Sequence, residues 1–343
     1  MSLNVVWQLT RECGLGCAEC TTSKAHARTH ELTTYEAYKT IDQIAAAKPQ
    51  RLVMTGGDPL ARRDLFELVQ YARRRGLEPA VNVSPTRRLT PESINSLRRN
   101  GGMRLIFAIN GSNPQKHDGI NGIDGSFANT VRALRWARDG GLPTEINTLV
   151  TKRTVSDLAA IAEIIDAFRI DAWNVYFLVP LPSARKKEMI SAEQAETAFG
   201  ALTAIASLAK YRIRVNEAPE FRRFLMQQTH ADQGQWSDFA GYVGNSEVVD
   251  ELVFVSADGD VHPSEFLPLS GGNLREHSLR AIVSSSDLFA SLRDRSNLSG
   301  KCRHCDYRDA CGGSRARAWA VSGDLFAPDP LCAYLPPALE AAG

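Results

Sequence analysis

Net charge is almost absent from this sequence: 40 lysines and arginines stand against 39 aspartates and glutamates over 343 residues. That balance leaves no electrostatic footprint for nucleic acid or an anionic membrane, and neither partner is expected. Local clusters such as Arg73, Arg74 and Arg75 read as a solvated helix face. No apolar run approaches transmembrane length, and the first residues, Met-Ser-Leu-Asn-Val-Val-Trp, lack a basic segment leading into a signal core. A cytoplasmic protein is expected. Internal repeats and low-complexity tracts are missing as well. Cysteine is absent from the whole middle of the chain: none lies between Cys20 and Cys302.

The seven cysteines therefore fall in two groups, Cys13, Cys17 and Cys20 near one end and Cys302, Cys305, Cys311 and Cys332 near the other. An odd count leaves one thiol over from any disulfide scheme, and a reducing cytosol disfavours such bonds, so metal ligation is the natural reading of both groups.

Between them the sequence supports a full-sized core, with 43% apolar residues. From Val5 to about Val179, short apolar runs alternate with amphipathic stretches, the rhythm of βα units around a parallel sheet. Strands are expected at Asn4–Thr10, Arg51–Thr55, Glu78–Val83, Arg104–Asn110, Thr144–Val150 and Ala172–Val179, rich in Val, Ile and Leu as buried parallel strands require. Thr33 with Glu36 reads as a capping box, and Thr90 followed by Pro91 as a helix start. Gly76, Gly101 and Gly140 sit where left-handed C-terminal caps are wanted. The fold class is α/β: a partial (β/α)6 barrel, with a smaller α+β domain behind it. Ser191–Lys210 reads as a long helix and Tyr211–Glu217 as a strand. The pattern then loosens, which divides the chain into 1–217 and 218–343. Glu251–Ser256 and Val261–Pro263 read as a hairpin turned by Asp258-Gly259.

Cys13-x3-Cys17-x2-Cys20 lies in a loop after the first strand, where a barrel enzyme places its active site. Three thiolates on so short a loop can converge on one metal centre; a zinc ion completed by His26 or His30 is the alternative by ligand count. Thr55-Gly56-Gly57-Asp58-Pro59 follows the second strand. Its two glycines permit close backbone approach to a ligand, and its carbonyl groups can bind an ammonium group.

With these two segments the sequence resembles the radical S-adenosylmethionine (SAM) superfamily. The resemblance implies that Cys13, Cys17 and Cys20 hold a 4Fe-4S cluster whose fourth iron stays open for SAM. It further implies that Gly56, Gly57 and Asp58 meet the methionyl amino group, that Ser84 and Asn110 meet its carboxylate or ribose, and that Asn147 and Leu149 approach the adenosine. The chemistry implied is one-electron cleavage of SAM to a 5′-deoxyadenosyl radical that abstracts hydrogen from an unreactive C–H bond, with a flavodoxin- or ferredoxin-type electron donor. Glu19 departs from the apolar or aromatic residue usual before the last cysteine.

Cys302-x2-Cys305-x5-Cys311, with Cys332 downstream, is a four-thiolate set that suits either zinc or a fully ligated 4Fe-4S cluster. Cys311-Gly-Gly-Ser-Arg-Ala-Arg-Ala and Asp329-Pro330-Leu331-Cys332 resemble the SPASM/twitch extension of radical SAM enzymes. That resemblance implies one auxiliary 4Fe-4S cluster held by all four cysteines. A second auxiliary site reads as dismantled, with Ser264 and Ser314 where cysteines would stand.

Substrate contacts are expected among the polar residues at strand ends: Glu12, Asn82, Asn174, Tyr176, Lys187, Glu188, Glu217 and Glu265. Tyr176 and Glu217 stand out because they interrupt apolar strand patterns. The chain begins at strand one, without the peptide-recognition domain common among SPASM relatives, so the expected substrate is a small molecule. A sugar or nucleoside of natural-product biosynthesis is favoured, and the chain is similar in compactness to cytosylglucuronate decarboxylase. In that reading Lys187 or Arg185 binds a carboxylate, and Glu188 or Glu217 moves a proton. The competing readings are modification of a peptide or haem precursor, and a zinc-bound protein that binds without catalysis.

Overall fold

Apolar runs become parallel strands and the amphipathic stretches between them become helices in the computed structural model, which describes residues 3–15, 30–102, 104–181, 183–229, 243–244 and 252–340. In chain order the elements begin β1 (Asn4–Gln8), α1 (Thr34–Ala47), β2 (Arg51–Thr55), α2 (Leu65–Arg74), β3 (Pro79–Asn82), α3 (Pro91–Arg99), β4 (Arg104–Ala108), α4 (Pro114–Asn121) and α5 (Ser126–Asp139). They continue with β5 (Thr144–Val150), α6 (Leu158–Asp166), β6 (Ala172–Phe177), α7 (Ala192–Ala206), β7 (Arg212–Asn216), α8 (Glu220–Thr229) and β8 (Val243–Gly244). The last stretch adds β9 (Leu252–Val255), β10 (Asp260–His262), β11 (Gly272–Asn273), α9 (Leu279–Ser285), α10 (Asp287–Arg293), α11 (Gly300–Arg303), α12 (Arg315–Ser322) and α13 (Pro337–Glu340).

Two compact units share these elements. One comprises Met1–Asn147, Phe168–Ile170 and Val249–Ala290; the other comprises Thr148–Ala167, Asp171–Val248 and Ser291–Gly343. In the first, strands run in the order β11-β10-β9-β1-β2-β3-β4-β5. β1 pairs in parallel with β2 on one side and with β9 on the other, Val6 standing opposite both Val53 and Phe254. One face of this sheet packs Val53, Ala80 and Ile106 with Val6. The Asp258-Gly259 turn joins antiparallel β9 and β10, and Gly259 takes φ +89°, which a side chain rarely tolerates. In the second unit β6 and β7 pair in parallel, followed by β8. Phe177 of β6 packs on Phe199 of α7, which in turn meets Phe221 of α8.

The local signals set the element ends. Thr33 and Glu36 form the capping box of α1, and Ser93 completes one with Thr90 ahead of Pro91 in α3. Gly76 and Gly101 turn left-handed, at φ +81° and +90°. Gly140 does not: it stays right-handed at φ −79°, and Gly141 at +71° makes the turn instead. One more residue of helix geometry simply moves the reversal along the Gly-Gly pair. Several strands stop before their expected ends, because Thr10, Asn110 and Glu217 leave the ladder to make polar contacts. Arg75 of the surface arginines pairs with Asp42 at 2.7 Å. Among the described residues, no helix is long and apolar enough to cross a membrane.

Candidate metal centres

In the first unit the segment carrying Cys13 is pinned by charge at both ends. Arg62 donates to the carbonyl of Leu9 at 2.7 Å and to that of Leu32 at 3.0 Å, while Asp64 holds its Nε at 2.7 Å. The Glu31 carboxylate accepts the Arg11 N–H at 2.6 Å and the Thr10 hydroxyl at 3.1 Å. Cys13 is half-buried, and the Leu15 N–H faces its sulfur at 3.5 Å. Cys17, Cys20, Glu19 and His26 lie outside the described residues; His30 is exposed.

The glycine pair after β2 approaches this same segment. Gly57 N–H donates to Thr10 O, and Asp58 N–H to Glu12 O, each at 2.7 Å. A Cβ on Gly56 would lie 2.9 Å from Thr10 O, and one on Gly57 only 2.5 Å from Glu12 O. Glycine is required here because two backbones touch, and the partner is the chain's own cysteine segment. Asp58 is fully buried. Burial pushes its carboxyl up, while donation from the Thr86 hydroxyl at 2.7 Å and the Leu60 N–H at 3.1 Å, with the Arg88 guanidinium at 3.9 Å, works against this. The Asp58 side chain thus caps the turn that starts at Pro59, while Ser84 donates to the Gly57 carbonyl at 2.8 Å.

Asn110, just beyond β4, belongs to a buried neutral network. Its N–H donates to His117 Nδ1 at 3.1 Å, and its amide reaches Asn121 at 3.0 Å. Burial pushes the His117 ring down to about 4, so it is neutral at pH 7, as an accepting Nδ1 requires. Asn147 is half-buried on β5, and its carbonyl accepts from Ile109 at 2.9 Å. Sequence reasoning missed Glu145: fully buried on β5, it is gripped by Arg51 at 3.1 Å and Arg104 at 2.9 Å. Both arginines open their strands, at the sheet end opposite the cysteine segment.

In the second unit Cys302, Cys305, Cys311 and Cys332 line one small pocket, together with Glu220, Arg223 and Lys301. Among the described residues no three His, Cys, Asp or Glu side chains converge as tightly as a single ion needs. By ligand count these four sulfur donors suit tetrahedral zinc or a fully ligated 4Fe-4S cluster. Burial pushes all four thiols up, Cys332 to about 12, and as sulfur ligands they make a soft donor set. The Gly313 N–H faces Cys311 Sγ at 3.4 Å, and a buried Arg223 Nε beside the pocket has no acceptor among the described residues. A sulfur-facing N–H and an unpartnered buried donor on the pocket wall fit an anionic iron-sulfur group.

A buried ion pair braces the pocket. Arg317 and Asp329 are both fully buried and meet at 2.8 Å. Arg317 also donates to the carbonyls of Leu178 at 3.1 Å and Glu217. Burial works against the Asp329 carboxylate, but Arg317 holds it below the ordinary range. Neighbouring Glu220 is pushed well above that range, by burial first and by the Asp329 charge second.

Of the residues singled out in the sequence, Glu217 adopts left-handed φ of +54° just past β7 and accepts the Ser314 hydroxyl at 2.6 Å. Ser314 is buried and caps α12 through Arg317 N–H, so both residues belong to the brace. Tyr176 is half-buried on β6, opposite Asn216. Lys187 is exposed and Glu188 half-buried in the turn Ser183–Glu188, where the Glu188 carbonyl accepts Lys152 N–H at 2.9 Å. Leu149 offers its carbonyl to Thr154 at 2.7 Å.

Comparison with known proteins places these features. Residues 7–165 match the model of the radical SAM superfamily, and residues 247–306 that of an iron-sulfur cluster-binding domain, SPASM. An AdoMet-dependent heme synthase from Methanosarcina barkeri is 33% identical over 344 residues, covering 97% of this chain and 96% of the relative. An Fe-coproporphyrin III synthase from the same organism is 27% identical over 359 residues, covering 96% and 87%. Among solved structures, Streptococcus suis SuiB bound to S-adenosylmethionine superposes with a TM-score of 0.78 at 12% identity, over 97% of this chain and 78% of that one.

Proposed function

Because the chain belongs to the radical SAM superfamily and carries its iron-sulfur cluster-binding extension, we propose that it modifies a haem precursor, an iron-bearing tetrapyrrole. The observation carrying this reading is the end-to-end relation to a heme synthase, which spans both cysteine regions. It takes the place of the sugar or nucleoside substrate expected from the sequence. The enzyme's cofactors are a SAM-binding 4Fe-4S cluster, SAM and an auxiliary cluster.

Cys13, Cys17 and Cys20 would hold the first cluster, and Cys302, Cys305, Cys311 and Cys332 the second, with no iron of the latter left open. With SAM, the first cluster supplies a 5′-deoxyadenosyl radical that takes hydrogen from a substrate C–H bond, the electron arriving from a flavodoxin- or ferredoxin-type donor. Gly56 and Gly57 keep the cysteine segment pressed against the end of β2. Ser84 and Asn110 flank that end, and with Asn147 and Leu149 they are the side proposed for SAM. Arg185 and Lys187 offer cationic charge for tetrapyrrole carboxylates, with Tyr176 and Glu188 as candidates for proton movement; Glu217 positions α12 instead.

The test is anaerobic reconstitution with SAM, dithionite and iron coproporphyrin carrying deuterium on its side chains. Deuterium should appear in 5′-deoxyadenosine, whose yield should rise well above the level without substrate. Label transfer from a uronate nucleoside, with none from the porphyrin, would overturn the reading.

A further inference from the structure

α8 turns Arg223 toward the four-cysteine pocket, which its side chain helps to line while remaining only 4% exposed. Its terminal nitrogens are already committed. Nη1 donates to Glu196 at 3.0 Å and to Gln227 at 2.8 Å, and Nη2 donates to the other oxygen of Glu196. The Nε–H is left buried with no acceptor among the described residues. A buried donor without a partner costs about 1–3 kcal/mol, so its retention asks for an acceptor that arrives with a bound group. Cys311 and Cys332 lie within electrostatic range of this guanidinium, and Tyr334, from the same pocket wall, lies 5.7 Å beneath it.

We propose that Arg223 is a tuning residue of the auxiliary cluster: Glu196 and Gln227 fix its guanidinium so that Nε–H and the positive charge face cluster sulfur and raise the reduction potential. This rests on the reading that the four cysteines hold that cluster. Cluster potentials respond to nearby charge and to hydrogen bonds on sulfur, and a rigid guanidinium supplies both. A purely structural Arg223–Glu196 brace makes a different prediction, because there the two partners are equivalent.

The experiment uses the full chain with Cys13, Cys17 and Cys20 changed to alanine, reconstituted to about four irons. It is titrated with dithionite while electron paramagnetic resonance follows the reduced cluster, one electron per cluster. Arg223→Met should lower the midpoint, changing the oxidised-to-reduced ratio at fixed potential about tenfold, or about 59 mV. Glu196→Gln, which removes the opposing charge and keeps the guanidinium, should shift it upward by less. Arg223→Lys should fall between Arg223→Met and the parent chain, and with Glu196→Gln it decides the matter if Arg223→Met does not fold. Unmoved midpoints, or shifts of the same sign in Arg223→Met and Glu196→Gln, would overturn the proposal. A parent chain that binds no iron would instead overturn the reading of the four cysteines.

Discussion

The two cysteine regions differ in where their tightest contacts lie. Around Cys13 the closest fit is backbone on backbone: glycines at 56 and 57 let two peptide segments touch, with Arg62 and Glu31 holding the segment at its flanks, while elsewhere in that unit His117 is buried and neutral. Around Cys302, Cys305, Cys311 and Cys332 the support is side chain on side chain, centred on the charged pair Arg317–Asp329. A site that must admit SAM benefits from an unobstructed backbone cradle. A fully ligated cluster needs only a rigid wall, which buried charge and hydrogen bonds supply.

The contrast can be broken most forcefully at Arg317. Arg317→Met strands Asp329 as an unpaired buried carboxylate, which should cost about 3–5 kcal/mol in urea unfolding. A loss below about 1 kcal/mol would mean that the pair is dispensable. The regions should also differ in acid. With its folded value near 4 against an ordinary 6.5, His117 costs no stability above pH 6.5. As pH falls from there, protonation favours the unfolded chain, and the loss grows to about 3 kcal/mol near pH 4 before levelling off. Asp329, held low, keeps its contribution until pH falls below the ordinary carboxylate range. Stability curves of His117→Gln should therefore be flatter than the parent's between pH 6.5 and 4; a parallel decline would remove His117 as the cause.

Gly57→Ala sharpens the comparison from the other side. Its Cβ would force Glu12 and Arg11 back, displacing the segment that leads into Cys13. SAM cleavage should drop about 100-fold, because misplacement near 1 Å has that effect, while iron in the auxiliary site is retained. Equal loss of iron from both sites would show that the regions are not independent. The smallest effect is expected from Ser314→Ala, which removes the α12 cap and the Glu217 contact for about 1 kcal/mol, measured by urea unfolding. If that variant also lost iron, the brace would be part of the cluster site itself.

Much of this was legible beforehand where the signal is local. Capping boxes at Thr33 and Thr90, the Asp258-Gly259 turn and the positions of β2 and β5 follow from residues a few places apart. Asp58 and Glu217 were harder. Each was expected to face a ligand or substrate, and the intramolecular partners they also have, Thr86 for Asp58 and a serine far along the chain for Glu217, were not foreseen. A lone carboxylate in a strand-end loop carries no mark of which distant hydroxyl it will meet. Glu145 was invisible for the same reason, since its two arginines come from separate strands.

The sequence by itself determined the βα rhythm, the two cysteine sets and their spacing, because periodicity and ligand spacing are properties of short stretches of chain. Tertiary structure alone decided what the glycine pair touches, which acid pairs with Arg317 and where the Arg223 Nε–H is buried without an acceptor among the described residues. These are pairings across long chain separations. They are selected by burial, which makes an unmatched charge or donor costly, and no local pattern records the match.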